Sequence, residues 1–318
     1  MGIRFIAGRK DAGRKKKAEK NSFKPEKLTA LKKKLGGKLK VCLAQNGGVL
    51  SFRRHKGGGG IDYIVAKAVA DALGVTLKIV WFESENEEES NPVDEVNAFM
   101  SYGLCQLAAS FPLHRDAIGQ GPGRSVPLAR YRHMPERDVG RIVNLRQLIV
   151  SAPYRSTRFV VVLPGSSTLR VKSLADLDGR KILAEQGTVA GAISMQYQGG
   201  LLRDKVDLVK PGPRTLWIME GGKHDAAVIE LDKYDSHRKQ NRITKLKLSG
   251  YEHSIRYNIG LVSIDRHQNL IAFASAVIKK RLADGSLARA AVKSGVSFRA
   301  PDSPLIRGRL SFRELARD

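Results

Sequence analysis

Three short segments of this 318-residue chain put groups able to hold a small solute at the ends of apolar runs. SFPLHRDA (residues 110–117) carries Ser110 and Arg115, KILAEQGTVAGA (181–192) carries Thr188, and GKHDAAVIELDKY (222–234) carries Glu230. Each run of apolar residues breaks into a polar turn, as a buried strand does when it delivers a functional group at its carboxyl end, where ligands lie in open α/β sheets. Hydroxyl, guanidinium and carboxylate groups from separate strands suit reversible capture of a small solute in a two-lobed cleft. Thr188 follows Gly187 where a strand meets a helix, so its hydroxyl and the free amides there either hold an anion or simply cap the helix. Taken alone, Arg115 reads as a surface arginine of a basic chain, and Glu230 as an ion-pair partner of Lys233 or Arg238.

Bond-making chemistry has less support. His114, His133, His224, His237, His253 and His267 are dispersed, and no nucleophile elbow, zinc-protease helix or dinucleotide-binding glycine turn accompanies them. The expectation is a non-enzyme with no catalytic residue and no cofactor. Two cysteines cannot supply the four ligands of a structural zinc site. Glu83, Glu85, Glu87, Glu88 and Glu89 offer carboxylate oxygens to a hard cation. They lack the alternating Asp/Asn and Gly pattern of a calcium loop, so a solvated acidic face is expected and no metal. Cys42 lies in LKVCLA and Cys105 opens CQLAAS, and both a disulfide between neighbouring strands and two buried free thiols fit that placement.

Lysine and arginine number 56 against 31 acidic residues, a net charge of +25 that attracts acidic surfaces. Much of the surplus sits in residues 1–37, a basic tail expected to stay disordered because it has little apolar surface to bury. No zinc-finger, phosphate-loop or RNA-recognition signature accompanies it, which weighs against nucleic acid as a partner. The opening GIRFIAG is too short for the apolar core of a secretory signal, and no run approaches the roughly 18 apolar residues of a membrane span.

The elements that position these groups alternate in type. Residues 39–44 read as a strand, residues 57–60 as a glycine-rich hairpin or loop, and residues 61–73 as a helix with apolar positions at helical spacing and Gly74 as its stop. VTLKIVWF completes a β-α-β unit. A helix at 93–102 and a strand at 105–110 follow, then an irregular surface excursion over 119–144 and an extended crossing segment over 153–164. Strands at 181–185, 205–209 and 225–230 alternate with helices starting at Thr188 and Leu216. An extended stretch at 257–263 leads to a helix at 268–282 and another within 283–298. The proline-bearing end beyond Ala300 is expected to be loose.

In order and spacing, LKVCLAQNGGVLSF with GGIDYIVAKAVADALGV, SFPLHRDA, SLADLDGRKILAEQGT, GGKHDAAVIELDKY and HQNLIAFASAVIKKRLADGSLARAAVKSG resemble the type II periplasmic solute-binding proteins. The likeness is to family 3, which includes polar amino-acid receptors of ABC transporters, and covers roughly residues 38–298. It implies two hinge-linked α/β lobes around a central cleft: lobe 1 from residues 38–157 and 258–318, lobe 2 from 158–257. Arg115 then matches the arginine that grips a ligand carboxylate, Ser110 a hydroxyl that helps hold the ligand, and Glu230 the acid that receives an amino group. The resemblance implies a periplasmic monomer that traps an anionic or zwitterionic, amino-acid-like solute and presents it to an ABC transporter permease. Two positions depart from the pattern: Gly47 and Ile61 stand where the family offers aromatic walls. VCLAQNGGVLSF, Cys105 and PYRST look like a subgroup associated with quinoprotein alcohol dehydrogenases, which implies an accessory or scaffold protein for a periplasmic dehydrogenase with a degenerate cleft.

Overall fold

Alternating burial along KLKVCLA makes strand β1 (Lys38–Ala44), with Leu39 and Val41 to Leu43 turned into the core. The computed structural model containing it describes residues 25–55, 57–83, 92–119 and 121–318. A hairpin of β2 (Phe52–Arg54) and β3 (Gly57–Gly59) leads into helix α2 (Ile61–Leu73). That helix buries Ile61, Val65, Val69 and Leu73 on one face and stops at Gly74, whose left-handed backbone (φ 65°) lets its amide reach the carbonyls of Ala70 and Asp71. At the other end, Gly60 (φ 94°) brings the turn after β1 close to the helix start; a β-carbon there would stand 2.2 Å from the Leu50 carbonyl oxygen.

Strand β4 (Thr76–Phe82) returns parallel to β1 along its whole length. Helix α3 (Pro92–Tyr102), strand β5 (Leu107–Pro112) and the single turn α4 (Arg115–Ile118) follow. Strands β6 (Ser125–Pro127) and β7 (Ile142–Asn144) pair as a hairpin inside the stretch expected to be an irregular excursion. Leu128 and Val143 of that stretch, and Leu145 just after it, are buried with Phe82, Phe99 and Met100, so it seals part of a core. Strands β8 (Leu148–Val150) and β9 (Arg155–Ser156) complete the first half. The lobe 1 sheet runs β4-β1-β5-β15-β8, with β9 also on β15 (Asn258–Ile264), a strand supplied from much later in the chain.

Strand β10 (Phe159–Pro164) opens lobe 2, followed by β11 (Ile182–Glu185), helix α5 (Val189–Gln196), β12 (Val206–Val209), α6 (Thr215–Glu220), β13 (Ala226–Glu230), α7 (Leu231–Gln240) and β14 (Leu246–Glu252). Its sheet runs β12-β11-β13-β10-β14, parallel through β11 and antiparallel where β10 meets β13 and β14. The chain passes between the sheets twice, from β9 to β10 and from β14 to β15. After β15, helices α8 (Gln268–Ala283) and α9 (Ser286–Ser294) pack on lobe 1 and α10 (Phe312–Leu315) closes the chain. Among the described residues no helix is long and apolar enough to cross a membrane.

Two further expectations change, and the state of the cysteines, left open by the sequence, is settled. Residues 25–34 of the basic tail form helix α1 (Pro25–Lys34), held because Leu31 is buried in the main apolar cluster. The segment beyond Ala300 is not loose: it is bonded to both lobes, because its amides, carbonyls and charged side chains find partners there. Cys42 and Cys105 form a disulfide, tying β1 to the start of β5 where Cys42 pairs with Ala108. Residues 1–24 of the tail and most of the acidic loop, including Glu85 and Glu87 to Glu89, lie outside the described residues.

Candidate functional site

Between the lobes lies a cavity of about 270 Å³. Its lobe 1 wall is the turn after β1, with Asn46, Gly47 and Gly48; its lobe 2 wall is Gly212, Pro213, Thr215 and Leu216 with Glu230, Asp232, Lys233 and His237. Glu230 ends β13 and Asp232 lies in the first turn of α7, so the β-to-α junction of lobe 2 faces the cleft with two carboxylates.

Behind these residues the two crossing segments carry a buried polar cluster. Asp62, in the first turn of α2, is 1% exposed and accepts hydrogen bonds from the Ser110 hydroxyl (2.5 Å) and the Tyr154 hydroxyl (2.6 Å). Burial pushes its carboxyl above the usual carboxylate range, against the pull of Arg155 and the two hydroxyls. Arg155 is 3% exposed and donates from Nη1 to Asp232 at 2.6 Å across the lobes, while its Nε has no partner. Burial disfavours its charge, but the carboxylates of Asp232, Asp62 and Glu230 outweigh that, so it stays a cation. Glu230 accepts from the Tyr257 hydroxyl at 3.2 Å. Burial and the charges of Asp232 and Glu185 raise its pKa, opposed by Lys233 and Arg155.

Each residue read from the sequence now has a place. Ser110 sits near the end of β5 with a left-handed backbone (φ 58°), a conformation that costs a serine roughly 1–3 kcal/mol and is kept only where surroundings impose it. Here the Tyr154 oxygen accepts from its amide (2.9 Å) and Asp62 from its hydroxyl. Glu230 lines the cavity. Neither cation offered as its ion-pair partner takes that role: Lys233 pairs with Glu185 at 3.3 Å, and Arg238 reaches Asp235 at 4.0 Å. Thr188 caps α5, donating to the Glu185 carbonyl (2.7 Å) and accepting from the Gly191 amide (3.0 Å). Arg115 has an exposed side chain outside the cavity lining, and its amide is bonded to the Arg307 carbonyl (3.0 Å). The structure thus brings Ser110 and Glu230 to the crossing region, while Thr188 caps a helix and the Arg115 side chain lies at the surface outside the cavity lining.

Sequence reading missed Arg155, Asp232, Tyr154 and Tyr257. The usable signals were Tyr154 and Arg155 between an apolar strand and the next, and Asp232 two residues beyond Glu230. Among the histidines bonded within the chain, His114 Nδ1 accepts from the Ala117 amide, His224 Nε2 bonds Asp207 (2.8 Å) and His237 Nε2 bonds Glu220 (3.1 Å). Replacing Thr188 with alanine is expected to lower stability by about 1 kcal/mol, as loss of a helix cap does. Urea unfolding would show it, and solute affinity should stay unchanged.

No protein-family model and no curated protein sequence matches the chain. Solved structures do. A mutant of ArgBP from T. maritima is similar at 19% identity and TM-score 0.56, over 84% of this chain and 98% of that one. An amino acid ABC transporter substrate-binding protein from Streptococcus pneumoniae, bound to L-arginine, is similar at 18% identity and TM-score 0.59, over 86% and 99%. The VFT2 domain of Bordetella pertussis BvgS is similar at 15% identity and TM-score 0.60, over 86% and 98%. The fold is the two-lobed α/β architecture of the type II periplasmic-binding proteins.

Proposed function

We propose that this protein is a non-enzymatic receptor that holds a small polar solute with a cationic group in the interlobe cavity. The observation that carries this reading is Glu230, a largely buried carboxylate on the cavity wall with no Lys or Arg ion-paired to it among the described residues. A carboxylate taken from water without a cation partner is costly, and a bound ammonium or guanidinium relieves that cost. Lys233 and the backbone of the Gly47–Gly48 turn flank the same space and suit a carboxylate at the solute's other end. An amino-acid-like zwitterion combines both groups. L-arginine is what the Streptococcus pneumoniae protein of like fold holds. Periplasmic residence and delivery to an ABC transporter permease complete the reading, supported by the resemblance at residues 38–298.

Calorimetry against a panel of amino acids, amines and organic acids tests it. Glu230→Gln is expected to weaken binding of a cationic solute roughly tenfold to a hundredfold, the worth of a charged hydrogen bond. Wild-type affinity should fall as pH drops through the raised Glu230 pKa, because only the ionised carboxylate holds the cation and protonation sets in at higher pH than for an ordinary glutamate. Affinity that ignores both changes removes Glu230 from the site.

A second reading, that of an accessory scaffold for a periplasmic dehydrogenase, is favoured by Arg155. That guanidinium already pairs at 2.6 Å with Asp232 of the cavity wall, where an outside cation would otherwise gain most. Absence of binding across the panel, together with salt-sensitive association with an acidic enzyme, would select it.

A further inference from the structure

The expected hinge mechanism requires lobes that are free to part. Besides the Arg155–Asp232 pair, the chain bonds its own lobes together at two further places. Beside the cavity, the Val49 amide donates to the Ser236 hydroxyl at 3.0 Å, and Lys239 Nζ donates to the Ser294 carbonyl at 2.6 Å. Gly48 lies so close to α7 that a β-carbon on it would stand 2.1 Å from Ser236 Oγ. One apolar cluster contains Val41 and Leu107 of lobe 1, Val161 and Leu163 of lobe 2, and Tyr154 and Tyr257 beside the crossings.

The second place is the segment over residues 297–318. The Ser297 amide and hydroxyl donate to Asp235 of α7 at 2.6 and 2.8 Å. Asp302 accepts from the Ser156 hydroxyl (2.9 Å) and pairs with Arg158 (2.9 Å), so it grips the first crossing. Asn258, at the second crossing, donates to the carbonyls of Asp302, Pro304 and Leu305 and accepts from the Asp302 amide. The segment then joins the edge of lobe 1: the Arg307 amide donates to Leu113 (2.9 Å) and the Arg307 carbonyl accepts from Arg115 (3.0 Å). Past the capped turn of α10 it reaches lobe 2. There Ala316 accepts from the Gln198 amide (3.1 Å), and the Asp318 side chain accepts from the Leu174 amide (2.9 Å), the Tyr251 hydroxyl (2.8 Å) and the Tyr197 hydroxyl (2.6 Å).

We propose that residues 297–318 form an intramolecular clamp that holds the two lobes closed in the absence of any solute. The pins at Arg307 and Ala316 are separated by a short stretch that is partly helical, so it has little slack. A rotation about the crossings that changes the distance between Leu113 and Tyr197 must break one set of bonds. A ligand shifts a conformational equilibrium only by its differential affinity for the two states, so in a molecule already clamped shut the solute does not drive closure. Release of the clamp becomes the step that opens the cleft. This holds whether or not Glu230 receives a solute.

The test uses the full chain with nothing added. Small-angle scattering of the wild type is expected to fit the closed arrangement, and the Val49 amide, which reports contact across the lobes, to be protected from hydrogen exchange. A Tyr197→Phe, Tyr251→Phe, Asp318→Ala variant removes every Asp318 side-chain bond to lobe 2, leaving only the Ala316 carbonyl on Gln198, with little change to the core. It is expected to show a larger radius of gyration and about tenfold faster exchange at Val49, with the Val262 and Leu183 amides, each inside a single sheet, unchanged. Those two amides separate lobe opening from general loosening. Wild-type scattering that is already open, unchanged Val49 exchange in the variant, or equal acceleration at all three amides would overturn the clamp.

Discussion

Replacing Arg155 with leucine is expected to destabilise the protein by about 3–5 kcal/mol, the usual cost of breaking one side of a buried ion pair. Arg155 is 3% exposed and its partner Asp232 is 7% exposed, so water cannot take over the lost bond. The loss should depend on pH. Without the guanidinium, the carboxyls of Asp62 and Glu230, already raised by burial, rise further. Groups whose folded pKa exceeds the unfolded value make the folded state bind more protons, so stability falls as pH rises through that pKa and recovers as pH falls. The cost measured by urea unfolding should therefore be smaller at pH 5 than at pH 7. Adding Asp232→Leu should restore part of the loss, since an apolar pair replaces a buried charge left alone. An equal cost at both pH values, with no recovery in the double variant, would mean that the cluster is hydrated and not electrostatically coupled.

Removing the Cys42–Cys105 bridge by a double alanine substitution is expected to cost about 4 kcal/mol, from the chain entropy released when a closed loop of this length opens. The sequence separation is 63, and both cysteines are 1% exposed, so alanine leaves their surroundings dry and little strained. Reductant should produce a comparable loss in the wild type and none in the variant. A bridge of this kind persists only where thiols are kept oxidised, which fits the extracytoplasmic setting proposed above. A wild type whose unfolding midpoint ignores reductant would show that β1 and β5 hold together without it.

Local physics made much of the fold legible in the sequence. Apolar spacing and Gly74 gave α2 its bounds, because one helical face and a left-handed stop are properties of neighbouring residues. The strands carrying Ser110 and Glu230 were readable for the same reason: short apolar runs between polar turns have few other ways to bury themselves. Thr188 was legible only as a choice between cap and ligand, and its bonds to the Glu185 carbonyl and the Gly191 amide show the cap.

Other features were set only when distant segments met. Helix α7, LDKYDSHRKQ, has little apolar content, and its buried positions include Asp232, Asp235 and His237. Those side chains can be buried because Arg155, Ser297 and Glu220 meet them from elsewhere in the chain. Arg155 lies 77 residues from Asp232, so no local pattern marks it as a core residue. The end of the chain, with its prolines and arginines, carries the composition of a loose tail, and it is ordered by Asn258, Leu113, Tyr197 and Tyr251. Periodicity and turn chemistry therefore determined the elements and the strand ends that face the cleft. Which charges are neutralised inside it, and whether the lobes are free to part, depended on partners that only the folded chain brings within hydrogen-bonding distance.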